Sequence, residues 1–217
     1  NPDLLALIDA GVNGQDLLAF EVFPEGTPEY MNSSERDATF EEVLHYVHGF
    51  GIQLALPTMQ SALEAAMENA INNNIYNPLN DLLVDDYDEE YLAMGLECYF
   101  GIWSHDPNGN GYCGDNEYAF ITREAMEVGD PSLYAIINGF FGEAWEYTAV
   151  LPHGFDSEFY IERHIGHDYT YRSQYLKNFK VTGSSSINFY GNNFSNIIEG
   201  NDGDNHFIGY DGEDILR

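Results

Sequence analysis

The sequence predicts a mixed α+β chain: a mainly helical domain over 1–180, followed by a short stack of parallel strands over 183–217. Three observations carry that reading. Apolar residues recur at helical spacing over 3–10, 38–50, 58–73, 88–103, 119–128 and 131–145. Residues 191–217 divide into three consecutive nine-residue units, each a Gly/Asn/Asp turn followed by a short apolar run. Finally, 44% of the residues are hydrophobic and 15% aromatic, so the chain can bury a core despite its acidity.

Taken in order, the segment at 38–50 has Asp37 or Thr39 as a candidate cap, with Glu41 and Glu42 in the first turn, where carboxylates favour the helix dipole. Asp88, Glu89 and Glu90 open the segment at 88–103 in the same way. Gly129-Asp130-Pro131 reads as a stop followed by a start, with Asp130 as N-cap and Pro131 at the first helical position. Aromatic and β-branched residues over 147–162 and 169–181 favour strands. The Thr/Gly/Ser run at 182–186 marks the junction with the terminal units.

The chain has 37 acidic and 7 basic residues, a formal charge of −30. Such a surface repels nucleic acid and anionic membranes, which excludes both as expected partners. No stretch reaches the roughly 20 apolar residues of a membrane-spanning helix. Residue 1 is Asn and no basic-then-apolar leader follows it, which reads as a mature or trimmed chain. Self-repulsion on this scale is relieved by bound cations, so stability is expected to depend on calcium.

The run DPNGNGYCGDNE at 106–117 fills the slots of the twelve-residue EF-hand loop. Asp106, Asn108 and Asn110 supply oxygens at positions one, three and five, and Gly111 makes the turn. Tyr112 offers its carbonyl at position seven, and Glu117 can close the site with both carboxylate oxygens. This pattern points to Ca²⁺, a hard ion that takes six to eight oxygens. Cys98 lies just before this loop and Cys113 within it, either as a disulfide closing the segment or as a pair of buried or free thiols.

The three terminal units resemble the RTX (hemolysin-type) nonapeptide repeat. Asn196, Asn205 and Asp214 occupy its acidic slot, while Ile198, Phe207 and Leu216 occupy its buried one. The resemblance implies a short parallel β-roll whose successive turns share Ca²⁺, and it implies secretion, where free calcium is abundant. Phe194 stands where the first unit should have its second glycine, and two of the three acidic slots hold Asn.

The segment TFEEVLHYVHGFG at 39–51 has the form of an HExxH zinc helix with one letter changed. In HExxH, residues i and i+4 share a helix face, so two imidazoles grip one Zn²⁺. The Glu beside the first His takes the proton from the attacking water. Here Glu41 stands in for the first His, Glu42 is the general base, and His45 is the second ligand, with His48 one turn on. Two further segments, EYLAMGLECYF at 90–100 and the one running from Thr122 through DPSLY to Phe141, follow in order. Together, over about residues 36–142, they resemble the anthrax lethal-factor-like zincin metallopeptidases. That resemblance sets Met94 in the place of the third-ligand Glu, and Met is a poor zinc ligand. Glu97, one turn on, is the substitute, giving a Glu41/His45/Glu97 set with His48 as a further ligand for zinc or manganese.

The expected fold is thus a mainly helical zincin-like domain with an inserted EF-hand-type loop and a short C-terminal parallel β-roll. The expected function is that of a secreted calcium-binding protein with a degenerate zincin site, acting in extracellular binding or calcium-dependent self-assembly. The alternative is an active secreted zinc metallopeptidase with a carboxylate-substituted metal site.

Overall fold

The computed structural model describes residues 10–11, 14, 17, 19, 22, 38–79, 82–101, 111–113, 116–142, 148–151, 158–160 and 175–217. The expected helix at 3–10 falls almost wholly outside them. Helices form one part of the described chain and two parallel β-sheets the other, so the mixed α+β class holds.

Helix α1 (Thr39–Val47) buries Glu41, Leu44 and His45, an i, i+3, i+4 face. Its N-cap position is Ala38, which has no capping side chain, so Thr39 is the first helical residue and not the cap. The helix runs on through a π-helical turn (His48–Ile52) and a last turn (Gln53–Ala55). Leu56 breaks it, and Pro57 starts α2 (Pro57–Asn72), whose buried stripe is Gln60, Leu63, Ala66 and Ala70.

Helix α3 (Tyr87–Phe100) is the centre of this part. Every residue from Tyr91 to Tyr99 is buried, the signature of a helix packed on all sides. It ends at Gly101, whose φ of 72° is the left-handed conformation that stops a helix. Helices α1, α2, α4 (Arg123–Gly129) and α5 (Pro131–Phe141) pack around it. Thr122 caps α4 by accepting from Ala125 N at 3.3 Å. Asp130 caps α5 by accepting from Leu133 N at 3.4 Å, with Pro131 next, as the sequence predicts. Burial raises the Asp130 pKa, against the pull of the Tyr91, Leu133 N and Tyr118 hydrogen bonds that its carboxylate accepts.

Strands β1 (Thr148–Leu151), β3 (Asn178–Val181), β5 (Ile197–Glu199) and β7 (Ile215–Leu216) form one parallel sheet. Strands β2 (Glu158–Tyr160), β4 (Asn188–Tyr190) and β6 (His206–Ile208) form the other. Successive strands alternate between sheets, so the chain winds. Residues 196 and 214, in equivalent slots, are 18 apart, which makes one coil of two nine-residue units. Phe179 pairs in register with Ile198, and Phe189 with Phe207; these side chains, with Phe159, Val181 and Ile187, fill the space between the sheets. The inner slots Ile198 and Phe207 are packed as expected, whereas Leu216 is 43% exposed.

The winding begins earlier than the composition suggests. Strand β1 pairs with β3 and β2 with β4, so the boundary at 180–183 lies inside the strand stack and not at its start. The cause is local: β1 and β2 lie outside the three consecutive nine-residue units, and only their pairing reveals them. Helical core and winding meet at Tyr175, which is buried against the helices and contacts the Phe194 ring. Arg123 is sandwiched there between the Tyr99 and Tyr175 rings, 4.1 Å from each centroid, and donates twice to Tyr99 O.

Candidate metal centre

The buried face of α1 and the first turn of α3 bring three donors together. Oxygens of Glu41 and Glu90 and a ring nitrogen of His45 all lie within 4.8 Å of one another. Glu41 is 5% exposed and His45 7%, so two of the three are taken out of water. His45 Nε2 is 3.8 Å from Glu90 Oε1, and it is buried with no hydrogen-bond partner. A buried ring nitrogen left unpaired beside two carboxylates is costly as it stands. A divalent ion removes that cost. Donors at about 2.0–2.2 Å from a tetrahedral ion sit about 3.4 Å apart, so the cluster has to contract to hold one. Imidazole plus two carboxylates suits zinc or manganese. The residues therefore fit such an ion.

Glu42 sits beside this group. Its Oε2 lies 3.8 Å from His45 Nδ1, and it lines a cleft of about 350 Å³ with Gly14, Leu17, Val43 and Tyr46. Adjacent residues on a helix diverge by about 100°, so Glu41 is buried among the donors while Glu42 reaches the cleft.

The third donor is not the one the sequence suggested. Glu97 is fully buried nearly two turns further along α3, with Oε2 4.0 Å from Cys113 Sγ, and does not join Glu41 and His45. Met94 lies in the helical core. Glu90 faces α1 in their stead. In the sequence it belongs to the acidic start of this helix, and its place one turn before Met94 on the same face is the signal that sets it toward α1.

His48 also stands apart from the three donors. The π turn leaves it fully buried, with Nε2 donating to Gln60 Oε1 at 2.8 Å. Gln60 Nε2 donates in turn to Glu64 and Asp88, which fixes its oxygen toward His48. His48 Nδ1 faces Glu89 Oε1 at 3.7 Å. Burial pulls the His48 pKa down, but Glu89, Gln60 and Asp88 outweigh it and the net shift is upward. Glu89 also lies close to Gly49, where a Cβ would come to 2.9 Å from Glu89 Oε1.

For the loop at 106–117, Asp106, Asn108 and Asn110 lie outside the described residues. In its second half, Cys113 exchanges backbone hydrogen bonds of 2.8 and 3.1 Å with Tyr118, and Tyr118 also bridges Tyr76. Glu117 is buried and Tyr112 half-buried, and the next helix among the described residues starts at Arg123. The cysteines form no disulfide: Cys98 Sγ is directed at Thr122 O (3.4 Å) and Cys113 Sγ at Glu97. Both thiols are buried, and burial pushes the Cys98 thiol far up, so it is inert as a nucleophile.

In the terminal units, Asn196 and Asn205 turn their side chains into the winding, and Asp214 Oδ1 accepts from Asn196 N at 2.9 Å. Comparison with known proteins adds no relative: no family model, no curated protein and no solved structure matches this chain.

Proposed function

We propose that the helical part is a divalent-metal hydrolase centre of metallopeptidase type, with Glu41, His45 and Glu90 holding zinc or manganese. The observation that carries this reading is the buried His45 Nε2, without a hydrogen-bond partner and 3.8 Å from Glu90 Oε1, on a ring grouped with the Glu41 and Glu90 carboxylates. When bound, such an ion acts as a Lewis acid on a carbonyl group. Glu42 is the proton acceptor: it is partly exposed, lines the cleft, and adjoins the donor set without belonging to it. Peptide is the favoured substrate class because the order of the three segments over 36–142 resembles zincin peptidases. Against an active site stand Glu41 in place of the first His and Met94 in place of the third-ligand Glu; Glu90, grouped with Glu41 and His45, supports a carboxylate-substituted set.

Metal analysis of native protein and its variants tests this. Wild type should carry about one zinc or manganese per chain, and Glu90→Ala should lose it. Glu42→Gln should keep the metal and lose hydrolysis of a mixed peptide pool. A metal-free wild type, or a Glu42→Gln variant that still cleaves, overturns the reading.

The second reading is a secreted, calcium-loaded protein of extracellular assembly. The charge of −30 and the oxygen-rich loop ending in buried Glu117 support it. Light scattering across a calcium titration tests it, and a monomer throughout rejects assembly.

A further inference from the structure

The turns of the winding repeat one arrangement. Asn201 Nδ2 donates to Thr182 O at 3.2 Å and to Ser185 O at 3.0 Å. Asn205 Nδ2 donates to Asn201 O at 3.1 Å and to Gly203 O at 3.0 Å. Asn196 Nδ2 spans Lys177 O at 3.4 Å and Asn192 Oδ1 at 3.0 Å, and Asn192 Nδ2 reaches Leu176 O at 3.1 Å. In three of the four cases the two hydrogens of a neutral amide bridge two converging oxygens.

Converging backbone carbonyls and a side-chain oxygen are what a hard cation gathers in a turn. A carboxylate at 196 or 205 has no hydrogen to donate to those carbonyls, and it needs a cation between them. An asparagine carries the required positive edge itself. Rotating the amide by 180° would set Oδ1 against the carbonyl oxygens, so the hydrogen-bond network assigns the donating orientation. Asp214, the one carboxylate in the three slots, accepts from a backbone N–H.

We infer that asparagine amides take the place of calcium in the turns of the winding, so that residues 176–217 fold without it. This departs from what the nonapeptide resemblance implies, and it is independent of the metal centre on α1 and α3. Asn205 Oδ1 stays buried without a partner. That unpaired oxygen makes position 205 the sensitive one: Asn205→Asp replaces the donor by a second acceptor and builds the cation site that the wild type lacks.

Hydrogen–deuterium exchange on the full chain, read on peptides within 176–217 in calcium and in chelator, tests the inference. Wild type should keep the same protection in both. Asn205→Asp should lose protection in chelator and recover it with calcium. Loss of wild-type protection on chelation, restored by calcium, overturns the inference. So does an Asn205→Asp chain indistinguishable from wild type in chelator. Asn201→Asp provides the same comparison four residues earlier in the same unit should the first variant fail to fold in either condition, and an Asn201→Asp chain that behaves as wild type in chelator counts against the inference equally.

Discussion

The helical part and the strand winding bury polar groups by opposite means. Around α3 the buried polar side chains are mostly ionisable: Glu41, His45, His48, Asp88, Glu97, Glu117 and Asp130. In the winding they are the neutral amides Asn192 and Asn196. Burying charge is expensive unless it is partnered, and the partner can be a cation, a protonated ring or a hydroxyl. Amides carry donor and acceptor together and satisfy a turn from within. One region thus keeps electrostatic tension where chemistry is proposed, and the other removes it where only shape is required.

The largest way to break this contrast is through the apolar core of the winding. Phe189 is fully buried, with the Phe159, Phe179 and Phe207 rings at centroid distances of 5.4, 4.9 and 6.2 Å. Phe189→Ala should cost about 3–5 kcal/mol in the stability of that region, read by chemical denaturation. If the regions are energetically separate, zinc affinity at Glu41, His45 and Glu90 should not change.

A smaller effect is expected at the seam. Arg123 stacks between Tyr99 and Tyr175, and its backbone N–H donates to Tyr175 Oη at 2.8 Å. Arg123→Met keeps much of the stem and removes the cation and both bonds to Tyr99 O, at a cost of about 1–3 kcal/mol. Two resolved unfolding transitions in the variant, where wild type shows one, would identify Arg123 as the coupling between regions. A single unchanged transition would deny it that role.

The smallest effect concerns pH. The folded pKa of His48 is raised, so its contribution to stability is fully present below its unfolded pKa of about 6.5. That contribution is lost as pH rises through the folded value. Denaturation midpoints should therefore fall from mildly acidic to mildly basic pH, and His48→Gln should flatten that slope. An unchanged slope in the variant would assign it to another group.

What the sequence revealed depended on how local the cause was. The start at Asp130 and Pro131 was legible because capping is settled within four residues. The inner slots at Ile198 and Phe207 were legible because the repeat states its own period. Glu90 was not, because which of several acidic residues on α3 meets His45 depends on the rotation of α3 against α1, a matter of packing. Strands β1 and β2 were missed as members of the winding because their partners lie about 30 residues away, beyond the reach of a nine-residue period. The loop at 106–117 is a different case: its Asn/Gly/Asp composition states the candidate ligands, and the burial of Glu117 beside the Cys113–Tyr118 bridge is a matter of packing that composition does not state.

The π turn over His48–Ile52 holds one residue more than an α-helix needs. Deleting one residue there, Gly51 for instance, would restore regular winding and rotate everything beyond it by about 100°. The exposed Leu54 would turn off its present bearing, while the pair at Glu41 and His45 stayed where it is. The ligand pair and the segment leading to α2 are therefore on separate phases of one rod, so the bearing of one is set without moving the other.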